Sequence, residues 1–180
     1  MKVIGWGWIY LSTILDDFSR YIVGWKLYTN MKVGDVTDTL NIALSASGCN
    51  SVKVKHKPRL LWDNGGCYIA EDLADWLKDR KIEQLHDAPG HSQTQGKIER
   101  WHQTLKNRTL LENYFFPEDL QAQTGAFNEH YNNRRYHESL GNLTPADVYF
   151  GRGDEILKQR KRLEQQAIQT RRLQHHANAA

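Results

Sequence analysis

The chain has 180 residues, 39% of them hydrophobic, and a formal net charge of +3 at pH 7, which suits one globular domain with a short appendage. No stretch approaches 18 consecutive apolar residues, which argues against a membrane span, and no basic-then-apolar leader opens the chain, which argues against secretion. Cys49 and Cys67 are too few for a disulfide framework or a metal-binding cluster, so we expect reduced thiols and a cytoplasmic protein.

The first 48 residues predict a β-hairpin followed by a helix. Aromatic and small residues alternate at Trp6, Trp8 and Tyr10, and Leu11 to Leu15 continue the predicted strand. A second strand is predicted over residues 21–27. Asp16 to Arg20 supplies turn chemistry between the two strands. Asp35 is predicted to cap the helix, and Gly48 to end it.

The middle of the chain alternates strand and helix patterns. Short strands are predicted over residues 59–62 and 82–85, with a helix over residues 70–79 between them. This alternation predicts an α/β layer structure.

A loop and two helices are predicted next. Pro89 to Gly96 reads as a loop with little intrinsic order. A long helix is predicted from Lys97 to about Asn113, and Pro117 fits the first position of the following helix.

The basic excess of the chain belongs to its C-terminal segment. Residues 152–180 contain seven Lys or Arg and three Asp or Glu, whereas residues 1–151 are close to neutral. The segment is also rich in glutamine, with scattered apolar residues. We therefore predict a core domain over residues 1–151 and a basic helical or disordered tail over residues 152–180, dispensable for folding of the core.

Two carboxylates stand out by their context. Asp63 ends an apolar strand-like run, Glu99 lies near the start of the long helix, and 35 residues separate them. Two carboxylates held this way can bridge divalent metal ions that act on phosphorus, so we predict that the pair approaches a shared metal site about 4 Å across. The alternative is structural: Asp-Asn-Gly commonly forms turns, and Glu99 also suits a solvated carboxylate favoured by the helix dipole.

The periodicity of the long helix predicts which way Glu99 faces. At about 100° per residue, Ile98, Trp101 and Leu105 gather on one side of the helix. Glu99, Gln103 and Lys106 face the other way, out of the core. Trp101 is therefore predicted to be a core residue.

Basic residues near Glu99 are candidates for DNA contact. Lys97, Arg100 and Lys106 can each contact phosphate without reading sequence, and His91 in the preceding loop is a further candidate. The alternative reading of the same residues is a solvated face.

Three segments together resemble the IS3-type insertion-sequence transposases, which carry a DDE integrase catalytic core. They are Tyr10 to Arg20 with Trp25, Gln93 to His102, and Tyr131 to Leu140 with Thr144-Pro145-Ala146. The resemblance covers residues 2 to about 155. It implies an RNase H-like α/β fold, a mixed five-stranded sheet with flanking helices.

The resemblance also implies an activity. The family cleaves and joins DNA strands with Mg²⁺ or Mn²⁺ in a two-metal site, where Asp63 would bridge both ions and Glu99 would hold one. The partners it implies are DNA, as transposon ends and target, and further copies of the same chain. The protein would then be cytoplasmic, and nucleoid-associated when on DNA.

The first acid of the family's triad has no counterpart in the sequence. In the family it lies on the first strand, upstream of the segment that begins at Lys2, so we expect the central strand of the sheet to be missing or incomplete. Asp16 and Asp17 are expected to form the hairpin turn and not to replace it.

We therefore expect this chain to be inactive as it stands. Three alternatives stay open: a nuclease that recruits another acid, a non-catalytic DNA-binding or transposase-pairing module, and a decayed transposase remnant.

Overall fold

The computed structural model describes residues 1–51, 57–62, 71–86, 92–109, 111 and 113–178. Six strands and six α-helices are found in these residues. The strands are β1 Lys2–Val3, β2 Gly7–Trp8, β3 Tyr10–Leu15, β4 Ile22–Tyr28, β5 Arg59–Trp62 and β6 Glu83–His86. The helices are α1 Val33–Ala46, α2 Glu71–Asp79, α3 Ser92–Thr109, α4 Pro117–Asn133, α5 Pro145–Tyr149 and α6 Gly153–Asn178, with a 3₁₀ turn at Glu138–Leu140.

The chain divides into two compact units, Met1–Glu129 and His130–Ala180. We predicted that residues 1–151 fold without residues 152–180, and this stays a prediction. Within the part of the chain that the structure describes, no helix is both long and apolar enough to cross a membrane.

In the first unit, β3 and β4 form the predicted antiparallel hairpin, in register from Tyr10 opposite Tyr28 to Ile14 opposite Gly24. Its turn is held by Asp16, whose Oδ2 accepts hydrogen bonds from the Ser19 backbone N–H at 2.8 Å and the Ser19 hydroxyl at 2.6 Å. Arg20 adopts a left-handed conformation with φ of 64°. The turn role predicted for this segment is confirmed.

Helix α1 packs against the hairpin and α2 through an apolar cluster. The fully buried members of the cluster are Val36, Leu40, Leu44, Leu73, Leu77 and Ile82. The helix ends before Gly48, as predicted, and the φ of 69° at that residue is one that glycine adopts without strain.

The predicted N-cap of α1 was three residues late. The helix begins at Val33, and the Asp35 carboxylate accepts a hydrogen bond from the Lys32 backbone N–H at 2.8 Å. Asp35 therefore caps the helix from inside its first turn.

The close approach of β4 to α1 depends on Gly24. A Cβ atom at this position would lie 3.0 Å from the Ala43 backbone nitrogen and 3.1 Å from the Ala43 Cβ. Backbone cannot move aside as a flexible side chain can, so the layers would have to separate.

We predict that Gly24→Ala lowers the free energy of unfolding by about 1–3 kcal/mol, because it overpacks this contact. Urea denaturation followed by circular dichroism measures the change. Gly34→Ala is the matched control, since Gly34 is inside α1 and a Cβ atom there would meet no other atom within 4 Å. The control should be neutral or stabilising, by up to about 1 kcal/mol. Equal effects of the two variants would contradict the close packing of β4 on α1.

Strands β5 and β6 form a parallel pair, in register from Arg59 opposite Glu83 to Trp62 opposite His86, with α2 in the connection between them. This order of strand, helix and strand is the alternation that the sequence predicts. Among the described strands, β3 pairs with β4 alone and β5 with β6 alone. In place of the expected five-stranded sheet, the described strands form three separate two-stranded sheets, β1–β2, β3–β4 and β5–β6.

In the second unit, α5 begins with a reciprocal cap. The Thr144 hydroxyl accepts a hydrogen bond from the Asp147 backbone N–H at 3.2 Å, and Asp147 Oδ2 accepts from the Thr144 hydroxyl at 2.8 Å. Arg152 Nη2 lies 3.3 Å from Asp147 Oδ1. Partial burial raises the pKa of Asp147, but the hydrogen bonds from Thr144 and the charge of Arg152 outweigh it, so the pKa lies below its ordinary value.

The depressed pKa of Asp147 predicts a pH dependence of stability. Its contribution is fully present above the unfolded-state pKa, near ~3.9, and is lost as the pH falls through the lower pKa of the folded state. We expect Asp147→Asn to reduce the free energy of unfolding by about 1 kcal/mol at neutral pH. Urea titrations should show this deficit shrinking below pH ~3.9. Asp75→Asn, at an exposed position in the middle of α2, should show no comparable deficit.

Candidate metal and DNA site

Helix α3 carries the described half of the predicted acidic pair. It begins at Ser92 and not at Lys97, so the predicted loop over 89–96 is wrong for its last five residues. Gly96 lies inside the helix, where a Cβ atom would meet no other atom within 4 Å, so close packing does not require glycine there. Glu99 consequently lies about two turns into the helix and not in the first turn, so the helix dipole does not favour its charge as predicted.

The orientation predicted for α3 is confirmed. Trp101 and Leu105 are buried, at 1% and 2% exposure, and the Trp101 ring centroid lies 6.4 Å from that of Phe127. Glu99 and Lys106 are exposed on the other side. The burial of Trp101 therefore fixes the rotation of α3, and that rotation presents the Glu99 carboxylate to solvent.

Lys97 makes a contact that was not foreseen. Its Nζ lies 2.9 Å from Asp17 Oδ1 and donates a hydrogen bond to the Asp17 backbone oxygen at 2.7 Å. This double contact ties α3 to the turn of the β3–β4 hairpin. No local pattern indicates it, because 80 positions separate the two residues.

The same contact bears on the role of Asp17. Residues two apart on a helix point to opposite sides, so Lys97 holds Asp17 on the side of α3 away from Glu99. Asp16 is engaged within its own turn. Both aspartates thus serve the hairpin, as predicted.

The predicted basic residues do not form one surface. Lys106 shares the exposed face of Glu99, and Arg100 is exposed beside it. Lys97 is one third exposed and is paired with Asp17.

Asp63 and His91 lie outside the described residues, so the predicted approach of Asp63 to Glu99 stays a prediction. The structure does supply the surrounding frame. Trp62, the residue before Asp63, stands opposite His86 in the parallel pair, and α3 begins six residues after His86. Six residues reach at most about 21 Å, so α3 starts within that distance of the end of β6.

Of the two predicted metal ligands, Glu99 lies within the described residues. Glu99 offers an exposed carboxylate, the oxygen donor that Mg²⁺ and Mn²⁺ prefer. Among the described residues, no three of His, Cys, Asp and Glu gather closely enough to hold a metal ion. The Glu99 side of the predicted site therefore fits a divalent cation in chemistry and in exposure.

Family comparison identifies two overlapping regions. A model of the integrase core domain matches residues 1–92, and a second model with the same description matches residues 80–145. Together they cover both segments that carry the predicted acidic pair.

Two bacterial transposases are similar in sequence. The transposase InsF for insertion sequence IS3A of Escherichia coli (strain K12) is 27% identical over 142 residues, 77% of this chain and 47% of the relative. The transposase for insertion sequence element IS629 of Shigella sonnei is 28% identical over 143 residues, 79% of this chain and 46% of the relative. The chain spans about half the length of these curated relatives, and the matches confirm the predicted resemblance to IS3-type transposases.

Solved structures of integrase catalytic cores share the fold. The catalytic core domain of BIV integrase superposes with a TM-score of 0.59 at 20% identity, covering 82% of this chain and 88% of that one. The HTLV-2 integrase catalytic core domain in complex with magnesium, in its dimeric form, gives a TM-score of 0.57 at 15% identity, covering 77% and 83%. The predicted RNase H-like α/β fold is confirmed by these likenesses.

Proposed function

The chain belongs to the integrase core domain family, and from that premise we propose that it serves DNA transposition through metal-dependent cleavage and joining of DNA strands. The observation that carries the proposal is the exposed Glu99 carboxylate on α3, held outward by the buried Trp101. Lys106 supplies positive charge on the same face, about two turns further along the helix.

Asp63 and Glu99 would hold Mg²⁺ or Mn²⁺ in this proposal. When bound, two such ions supply an activated water or DNA 3′-hydroxyl and charge stabilisation at the leaving oxygen. Glu99 contributes a fixed anionic ligand, and the burial of Trp101 keeps it in one orientation.

Four side chains are proposed to contact DNA, those of Lys97, Arg100, Lys106 and His91. Arg100 and Lys106 are exposed and can meet phosphates directly. Lys97 would have to exchange Asp17 for a phosphate. His91 is proposed from the sequence alone.

The proposed partners are transposon ends, target DNA and further copies of the chain, with the protein in the cytoplasm and on the nucleoid when bound to DNA. The similarity to bacterial transposases supports the DNA partners. The HTLV-2 integrase core, which has a dimeric form, supports self-association.

The test compares the 180-residue chain with one that carries an added family-like Asp-bearing strand before Lys2. Both are assayed for nicking and strand joining with Mg²⁺ or Mn²⁺ on a supercoiled plasmid. We expect activity from the extended chain and none from the shorter chain, because two carboxylates alone do not fix the charge and separation of two metal ions.

Two outcomes would overturn this assignment. Equal activity of the short chain, abolished by Asp16→Asn or Asp17→Asn, would show that a hairpin aspartate completes the site. Inactivity of both chains, with DNA binding retained in EDTA, would favour a non-catalytic DNA-binding or transposase-pairing module.

A further inference from the structure

Helix α6 is anchored along one side of its first turns. The Arg160 guanidinium donates hydrogen bonds to the backbone oxygens of Asn142 at 2.9 Å and Gly141 at 3.4 Å, and it lies 5.6 Å from the ring centroid of Tyr136. A Cβ at Gly141 would lie 3.7 Å from a Leu157 methyl group. These contacts fix which side of α6 faces the rest of its unit.

The side turned away from these contacts carries a continuous polar row, which we name the cationic stripe. At about 100° per residue its members fall within an arc of about 100°, and successive members are three or four residues apart except for the adjacent pair Lys161 and Arg162. They are Lys158, Lys161, Arg162, Gln165, Gln169 and Arg172. All six are exposed, and the stripe contains four cations and no acid.

The acidic residues of α6 lie at the start of the cationic stripe or to one side of it. Asp154 and Glu155 are in its first turn, where they favour the helix N-terminus. Glu164 points about 110° away from the middle of the stripe. Asp154 points in the direction of the stripe one turn before Lys158, so it can offset that one cation, whereas Lys161, Arg162 and Arg172 lie further along the helix.

The apolar residues of the same helix do not form a docking face for another helix. Leu163, Ile168 and Leu173 are exposed at 63%, 41% and 71%. Successive members stand five residues apart and so point about 140° away from each other, and Leu163 and Leu173 are about 80° apart. A coiled-coil or groove partner needs a continuous apolar row, which these residues do not provide.

We propose that the cationic stripe binds the phosphate backbone of double-stranded DNA without reading its sequence. The inference rests on the proposed function, which supplies DNA as the partner. Four Lys or Arg side chains on one exposed face match closely spaced phosphates, and the two glutamine amides between them donate hydrogen bonds to phosphate oxygens without adding charge. From Lys158 to Arg172 the row spans about 21 Å of helix.

The test is duplex binding by the full 180-residue chain, measured by fluorescence anisotropy in EDTA with a labelled duplex of about 30 base pairs. Omitting metal separates this proposal from strand cleavage. We expect the triple variant Lys161→Gln/Arg162→Gln/Arg172→Gln to raise Kd at least about 10-fold at about 100 mM salt. The slope of log K against log salt should fall in magnitude by about 2.7, which is about 0.9 for each phosphate that the variant no longer neutralises.

Two adjacent arginines provide the matched control. Arg172 lies in the stripe, whereas Arg171 lies about 100° away from it on the next face. Arg172→Gln should weaken binding by about 3-fold, and Arg171→Gln by clearly less, although both remove one charge from neighbouring exposed positions. Circular dichroism should show unchanged helix content, since glutamine is a good helix former.

Three results would overturn the proposal. The first is binding by the triple variant within about two-fold of the unchanged chain, or no duplex binding at all. The second is equal weakening by Arg171→Gln and Arg172→Gln, which would show that only net charge matters. The third is a triple variant that loses affinity for poly-glutamate but not for the duplex, which would assign the stripe to acidic proteins.

Discussion

Replacing Glu99 with glutamine is expected to lower metal-dependent DNA cleavage by the extended chain by about 100- to 1,000-fold, or about 3–4 kcal/mol of transition-state stabilisation. Glutamine keeps the size and polarity of the side chain but removes the negative charge that a divalent cation requires. Because Glu99 is exposed, the substitution should leave the unfolding midpoint unchanged. Plasmid nicking at several Mg²⁺ concentrations measures the loss.

Glu118→Gln is the control for this experiment, since Glu118 is also an exposed helical glutamate but lies in the first turn of α4. It should retain the activity of the unchanged chain. Asp63→Asn should match Glu99→Gln in its effect if the two acids share one site. Nicking by Glu99→Gln within about 10-fold of the unchanged chain would exclude Glu99 as a metal ligand.

Replacing Trp101 with alanine is expected to lower the free energy of unfolding by about 3–5 kcal/mol. Trp101 is the largest of the fully buried side chains, and its removal leaves a cavity between α3 and the ring of Phe127. A loss of this size is a large part of the stability of a domain of this length. Chemical denaturation monitored by circular dichroism measures it.

Trp8→Ala is the matched control, because Trp8 is the same residue type at 64% exposure. It should change the free energy of unfolding by about 0.5 kcal/mol or less. Equal losses from the two variants would contradict the role of Trp101 in core packing. Trp101→Phe should lower the free energy of unfolding by an amount between those of the two alanine variants, since the smaller ring fills part of the cavity.

The sequence predicts those parts of this fold that depend on neighbouring residues. The β3–β4 hairpin follows from alternation around the Asp16 turn, and the outward orientation of Glu99 follows from the spacing of Trp101 and Leu105. Helix starts were less accurate, because Asp35 resembles an N-cap while acting from the first turn, and because Gly96 lies within α3.

The tertiary contacts of Lys97 and Arg160 could not be predicted from the sequence. Lys97 reads as one of several cations near Glu99, and only the folded chain shows it bound to Asp17. The anchoring of α6 through Arg160 is another such contact, since its acceptors are backbone oxygens, which every residue carries.

The separate strand pairs also bear on the order in which the chain folds. The β3–β4 hairpin joins residues that are close in sequence, so its loop-closure entropy is small and it can form within about 1–10 μs. The parallel β5–β6 pair brings together strands about 24 residues apart in register and needs α2 to form in its connection. In pulsed hydrogen exchange during refolding, the amides of β3 and β4 should therefore become protected before those of β5 and β6. The reverse order would show that the hairpin needs the rest of the unit in order to form. On this view, the hairpin with its Asp16-held turn is the template on which the later α/β layers assemble.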